Sequence, residues 1–338
     1  MNSLTAKPAD EKAVQGVEGL HRKDVVPSDK DALTKPDIVT TTPAIHGDWV
    51  LFHPVYTKDE LHSVQVMHRS PTTIPDRIAS LLVRTARKGF DLVSGYKERA
   101  VPPNANMSIE ELRKGGYALS EQQWLQRILF LETIAGVPGM VAATLRHLRS
   151  LRLMRRDAGW IHTLLEEAEN ERMHLMTFMT IKKPSLFFRA LILGAQGVFY
   201  NAFFLSYLIS PQICHRFVAY LEEEAVHTYT RCINDLEAGR IPGWENFPAP
   251  EIAKDYWRLS SDAKLLDVLY AVRSDESTHR FVNHSLANLN YKTDVNPFAI
   301  REPDMHVKGT KLGFERDEAE KYVRESRTIM EKTLEQSH

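Results

Sequence analysis

The chain has 338 residues, with 43 Lys and Arg against 44 Asp and Glu, a hydrophobic content of 43% and two cysteines. This is the balance of a folded globular protein, and a net charge of −1 excludes a surface built throughout for nucleic acid. Cys214 and Cys232 cannot form a disulfide framework or a cysteine-based zinc finger, and a mean hydropathy of −0.33 excludes a polytopic membrane protein while leaving room for one membrane-attached face.

Residues 1–48 hold no Phe, Tyr or Trp and mix charges with proline, so they are expected to form a flexible N-terminal tail. Their acids, Asp10, Glu11, Glu18, Asp24, Asp29, Asp31 and Asp37 among them, do not suit a transit peptide, and no apolar signal run is present; on this reading the sequence starts after a processing site. From Trp49 the pattern becomes helical. Ile78, Leu81, Leu82, Thr85, Gly89 and Leu92 share one helical face, and Arg77, Arg84, Arg87 and Lys88 lie on the other. Such a helix suits a membrane surface or the outside of a bundle. Residues 96–119 carry breakers and are expected as a loop region, with two capping boxes in and just after it, Ser108 with Glu111 and Ser120 with Gln123. The second opens a long helix through Trp124, Leu131 and Leu145, with a kink expected at Pro138. Five arginines between Arg146 and Arg156, with no acid among them, suit either anionic headgroups or intramolecular pairing.

A further helix is expected over 160–181. Residues 190–214 carry no charge and are long enough to cross a bilayer. Because the helices on either side of this run are needed in one bundle, it is expected to lie in the membrane interface or against the bundle. Pro211 opens a helix reaching Leu236, closed by Gly239; helices over 251–258 and 262–290 follow. The stretch 298–338 is expected as a polar tail with one solvated charged helix.

The chemistry lies in Glu132, in Glu171 with His174, in one of Glu222, Glu223 and Glu224, and in Glu276 with His279. Glu-x-x-His on a helix places both side chains on one face. The spacing occurs five times, at Glu18, Glu171, Glu224, Glu276 and Glu335, so no single occurrence identifies a site. The order Glu, Glu-x-x-His, Glu, Glu-x-x-His over four helices is the pattern of a di-metal carboxylate centre in a ferritin-like bundle. Glu132 lies in an apolar run, where a carboxylate is costly unless paired or metal-bound. The fold expected is all-α: a ferritin-like four-helix bundle over 49–297 with two additional amphipathic or apolar membrane-associated helices.

The segments LETIAGVPGMV (131–141), EEAENERMHL (166–175), YLEEEAVHTYT (220–230) and SDESTHRFVNH (274–284) resemble, in order, the four signature motifs of the alternative oxidases, membrane-bound di-iron ubiquinol oxidases. The resemblance runs over most of residues 70–297. It implies two iron ions held by Glu132, Glu171, His174, Glu222, Glu276 and His279, with Tyr229 beside them as a candidate redox participant. Glu222 is favoured on the family pattern, and Tyr229 seven residues on faces the same way. The resemblance also implies supporting hydrogen bonds from Asn170, Asp275 and Trp257, and family positions for His147, Arg152 and Tyr207. It implies a quinol pocket from Arg127, Leu131, Glu224, Ala225 and Thr228, joined by Arg87 and Asp91. Glu224 and His227 are a rival ligand pair.

The activity implied is oxidation of ubiquinol with reduction of dioxygen to water, without charge translocation, by a homodimer bound to one leaflet on the matrix side of the mitochondrial inner membrane. A plastid-type quinol oxidase or other di-iron hydroxylase is the alternative; a non-catalytic iron-binding bundle fits less well. No cysteine precedes Cys214, so the N-terminal regulatory cysteine of plant members is absent from this sequence.

Overall fold

A computed structural model of the chain describes residues 53–94, 99–102 and 107–336. The expected tail over residues 1–48 lies outside the described residues. Within them, helices follow one another without a strand: α1 (Lys58–Ser63), α2 (Ile74–Ser94), α3 (Ile109–Lys114), α4 (Glu121–Leu153), α5 (Trp160–Ile181), α6 (Leu186–Ile209), α7 (Pro211–Glu237), α8 (Glu251–Trp257), α9 (Leu265–Asn288), α10 (Met305–Thr310) and α11 (Arg316–Gln336).

Local chemistry sets the helix ends. Ser120 Oγ accepts from the Gln123 amide while Gln123 Oε1 accepts from the Ser120 amide, and Ser108 and Glu111 close the same reciprocal box. Each box satisfies amides that a helix start leaves unpaired. α4 stays helical through Pro138. α7 opens on Pro211, whose missing N–H has no helical partner at that position.

The bundle is made of two intimate pairs, α4 with α5 and α7 with α9. Gly139 makes the first pair possible: a Cβ there would lie 2.7 Å from the Leu164 carbonyl oxygen, so only glycine allows this approach. Apolar residues gather at the two ends of the bundle. One cluster takes Trp124 to Leu129 of α4, Phe178 of α5, Val226 to Leu236 of α7 and Leu265 to Val272 of α9. The other takes Val141 to Leu145, Trp160 and Leu164, Cys214 and Val218, and Phe281 to Leu286 of the same helices. On all four helices the metal-type residues fall between these clusters. Apolar packing thus holds a polar layer at mid-height and keeps water from it.

α6 packs on α4 and α7, and α2 on α7. Both have faces the bundle does not cover: Leu186, Phe187 and Ile209 on α6 are more than 80% exposed, and so is Leu92 on α2. The uncharged run 190–214 is not one helix. It breaks at Ser210, whose extended backbone caps α7. α4 and α6 are each long and apolar enough to cross a membrane, but α4 turns much of that stretch inward while α6 leaves most of it outside. α5 and α7, on either side of α6, both belong to the bundle.

The segment after Pro297 does not stand apart as a tail. Phe298, Phe314 and Ala319 bury against the second apolar cluster, that of Trp160 and Phe281. Ser277 Oγ donates to the Lys308 carbonyl at 3.0 Å, and the Phe314 amide donates to Ser285 Oγ at 2.8 Å. The few apolar residues of a polar stretch suffice when they meet one groove. The arginine cluster divides: Arg146 is buried, pairs with Asp157 at 2.9 Å and lies over the Trp160 ring, whereas Arg152, Arg155 and Arg156 stay exposed.

Candidate metal centre

Each bundle helix delivers its residues by register. Glu132 comes from α4, Glu171 and His174 from α5, Glu222 from α7, and Glu276 and His279 from α9; all are 7% exposed or less. Their donor atoms form two overlapping groups: Glu132, Glu171, His174 and Glu276, and Glu171, Glu222, Glu276 and His279. In each group the donor atoms lie within 4.8 Å of one another. Glu171 and Glu276 belong to both. Two shared carboxylates, with one His and one further Glu on each side, could hold a pair of neighbouring cations.

The donor atoms face one another without being satisfied. His174 Nδ1 lies 3.5 Å from Glu132, 3.5 Å from Glu171 and 3.4 Å from Glu276, yet makes no hydrogen bond. His279 Nδ1 lies 2.7 Å from Glu171 Oε1, and again the geometry is not that of a hydrogen bond. Glu132 Oε2 and both Glu171 oxygens are orphaned as well. Burying these five atoms unsatisfied would cost several kcal/mol, roughly 1–3 for each. Lone pairs converging on common points are what cations would satisfy, so the residues fit a pair of metal ions.

The charge balance leads to the same place. Four buried carboxylates stand against two imidazoles. Burial pushes Glu132 up to about 8, against the opposing pull of His174 close by. Burial, then the charges of Glu276 and Glu171, raises Glu222 well above the usual carboxylate range. Against burial, the hydrogen bond to Asp275 holds His174 high, and the Glu171 charge holds His279 high. Burial also opposes ionisation of Glu171 and Glu276, but the charge of His279 lowers the first and the nearby imidazoles of His174 and His279 lower the second. Without cations this layer must gather protons.

A hub at Asp275 aims His174. Asp275 Oδ2 accepts from His174 Nε2 at 3.0 Å, Trp257 Nε1 at 2.9 Å and Asn170 Nδ2 at 2.9 Å; Oδ1 accepts from His53 Nε2 at 2.9 Å and Tyr56 Oη at 2.5 Å. Although burial opposes ionisation, the His53 charge and the His174 and His53 hydrogen bonds hold Asp275 well below the usual range. The arrangement turns His174 Nδ1 toward the carboxylates, as a metal-bearing imidazole requires. Asn170 also donates to Tyr256 Oη at 3.0 Å. His53, Tyr56 and Tyr256 escaped the reading of the sequence. His53 lies 222 residues from Asp275, and no periodicity links two positions so far apart.

Three adjacent glutamates have three fates. Glu222 joins the cluster. Glu223 turns away, accepting from His68 at 2.5 Å, His284 at 2.7 Å and the Arg69 amide at 3.0 Å. Glu224 pairs with Arg87. With His227 it enters neither metal-capable group among the described residues. Tyr229 Oη donates to Glu132 Oε1, and burial, then the Glu132 charge, raises its pKa well above that of a free phenol.

An apolar cavity of about 410 Å³ opens beside α2 and α4 and ends on Glu132, Glu222, Glu276 and Tyr229. Arg87, Arg127, Leu131, Glu224, Ala225 and Thr228 all line it. Asp91 joins two of them from behind, accepting from Arg87 Nε at 3.1 Å and Arg127 Nη1 at 3.1 Å. Of the other family positions, Tyr207 is buried and donates to His215 Nε2 at 3.0 Å, while His147 and Arg152 are exposed.

The family model for Alternative oxidase matches residues 56–288, most of the chain and all of this layer. The chain belongs to the alternative oxidase family. Its relatives in that family include the mitochondrial alternative oxidase of Cryptococcus neoformans var. grubii, 57% identical over 315 residues, which are 92% of this chain and 76% of the relative. That of Emericella nidulans is 53% identical over 277 residues (79% and 75%), and that of Aspergillus niger 53% identical over 257 residues (76% and 70%). The alternative oxidase match thus takes in α1 to α9, including Tyr56 at its first residue, and stops before α10 and α11.

Proposed function

We propose that this chain is a ubiquinol oxidase that reduces dioxygen to water at a di-iron centre, without moving charge across the membrane. One observation carries the reading: two cation sites sharing Glu171 and Glu276, with an apolar cavity ending on the same carboxylates. Iron would be held by Glu132, Glu171, His174, Glu222, Glu276 and His279. When bound, the pair would supply the electron storage that four-electron reduction of dioxygen needs.

The remaining work falls to the chain. A quinol head is a flat apolar ring with two hydroxyl groups, and the cavity offers an apolar wall with few polar groups. Arg87 and Arg127, braced by Asp91, together with Glu224 and Thr228, orient the hydroxyls. Leu131 and Ala225 pack the ring. Tyr229 holds its proton against Glu132, where a proton and an electron from quinol can pass together. Two quinols release four electrons and four protons, enough to turn one dioxygen into two waters. No proton need enter from elsewhere.

The open faces of α2 and α6 flank this cavity, Val83, Ala86 and Phe199 being among its walls. A helix pair sunk in one leaflet would bring a lipid-dissolved quinol to it. Attachment to the matrix face of the mitochondrial inner membrane, and a homodimer, complete the proposal; the mitochondrial relatives support the compartment. Purified, iron-loaded protein should consume oxygen with a short-chain ubiquinol in the presence of cyanide. Two irons bound without such uptake would refute the activity, and release of the protein by salt or carbonate alone would refute the attachment.

A further inference from the structure

The metal layer has a second opening. On the α5 and α9 side, away from the apolar cavity, lies a cavity of about 70 Å³. The two meet the layer one turn of α9 apart: Glu276 lines the apolar cavity and His279 lines this one. Here most of the lining residues carry a hydrogen-bonding group, Thr163, Glu167 and Thr278 among them. At the inner end are His279 and Asn170; at the outer end Glu166 and Glu302 are partly exposed to solvent. The volume accommodates roughly five waters, at about 10–15 Å³ each. Asn170 is 5% exposed and its Oδ1 has no hydrogen-bond partner, leaving a buried acceptor beside the space. Such an atom is normally satisfied by an ordered water.

We infer that this cavity is the path by which product water leaves the metal centre. The inference rests on the oxidase reading above. Each dioxygen consumed leaves two waters in a layer sealed by apolar clusters above and below. The apolar cavity is a poor exit, because a quinol ring fills it during turnover and its walls offer water few partners. The polar cavity starts at a ligand of the second cation site and carries hydrogen-bonding groups outward. Separate doors let quinol stay seated while water departs.

The test reads water exchange rather than turnover. Holoprotein is reconstituted with Mn²⁺ in place of iron, and the longitudinal relaxation of solvent protons is measured. Only the enhancement lost in Glu171→Ala is counted, which removes ions bound elsewhere. The apolar cavity is then closed with oxidised decylubiquinone, and the polar one narrowed by Val282→Phe in its wall or Glu166→Trp at its mouth. The expected result is an enhancement that survives the quinone and falls at least threefold in either variant. Glu166→Trp lies at the partly exposed rim, so it tests the path even where Val282→Phe overpacks the core. An enhancement abolished by the quinone and unchanged in Glu166→Trp would overturn the inference and leave the oxidase reading standing. Failure to bind two Mn²⁺ per chain would instead remove the metal centre, and this inference with it.

Discussion

Replacing Asp275 by asparagine preserves volume but removes the charge on which five donors converge. Trp257 Nε1 and the Asn170 amide can only donate, so the remaining oxygen must stay with them and with His174. The new amide nitrogen then faces His53 and Tyr56, which lose their acceptor and must turn to accept instead. Hydrogen bonds to a charged group contribute about 1.5–3 kcal/mol and neutral ones about 0.5–1.5. Three weakened bonds and two that must reverse therefore sum to about 3–5 kcal/mol of lost stability. His174 also loses the carboxylate behind it, and removal of such a partner weakens metal affinity about 10- to 100-fold. Denaturant unfolding of the metal-free protein measures the first effect, and competition for iron against a chelator the second. A variant as stable as the parent to within about 0.5 kcal/mol, with unchanged iron affinity, would refute the role assigned to this hub.

Other outcomes follow from single contacts. Tyr229→Phe removes only the hydroxyl that donates to Glu132; quinol-driven oxygen uptake should fall at least tenfold while iron content and melting temperature stay near those of the parent. Arg127→Met unties Asp91 and should raise the KM for quinol more than it lowers kcat, measured by oxygen uptake at varied quinol. Gly139→Ala places a methyl 2.7 Å from the Leu164 carbonyl oxygen and should cost about 1–3 kcal/mol in chemical unfolding, more than Gly136→Ala, whose nearest contact is 3.3 Å. Burial pushes His215 and His284 each down to about 4. The unfolded chain therefore binds more protons between pH 6.5 and 4, and stability present above that window falls as pH drops through it. At pH 5 each contributes about 2 kcal/mol of loss relative to pH 7.5, and His215→Gln should flatten part of that slope in denaturant midpoints.

Much of the centre was legible because it obeys a local rule. Glu-x-x-His puts two ligands on one turn, and the helices that carry them announce themselves through capping boxes, Pro211 and apolar spacing. These are relations among neighbours, and neighbours are what a sequence displays. Residues tied across long separations stayed hidden. His53 and Tyr56 meet Asp275 only because the segment before α1 reaches the hub, and no pattern in HPVY announces it.

The charge balance that began as a near-zero total acquires its meaning from the fold. Composition and spacing point to an all-α chain with carboxylates in apolar surroundings, and four motif segments add the resemblance to one enzyme family. They could not separate Glu222, Glu223 and Glu224, since adjacent helix positions differ by about 100° in direction and only the packing of α7 against its neighbours, α9 and α2 above all, says what each meets. Nor could they show that Arg146 turns inward to Asp157 while its neighbours stay outside, or that the polar stretch after Pro297 closes over α9. Whether a charge is solvated, paired or ready for a cation depends on atoms distant in the chain, and tertiary packing alone brings those atoms together.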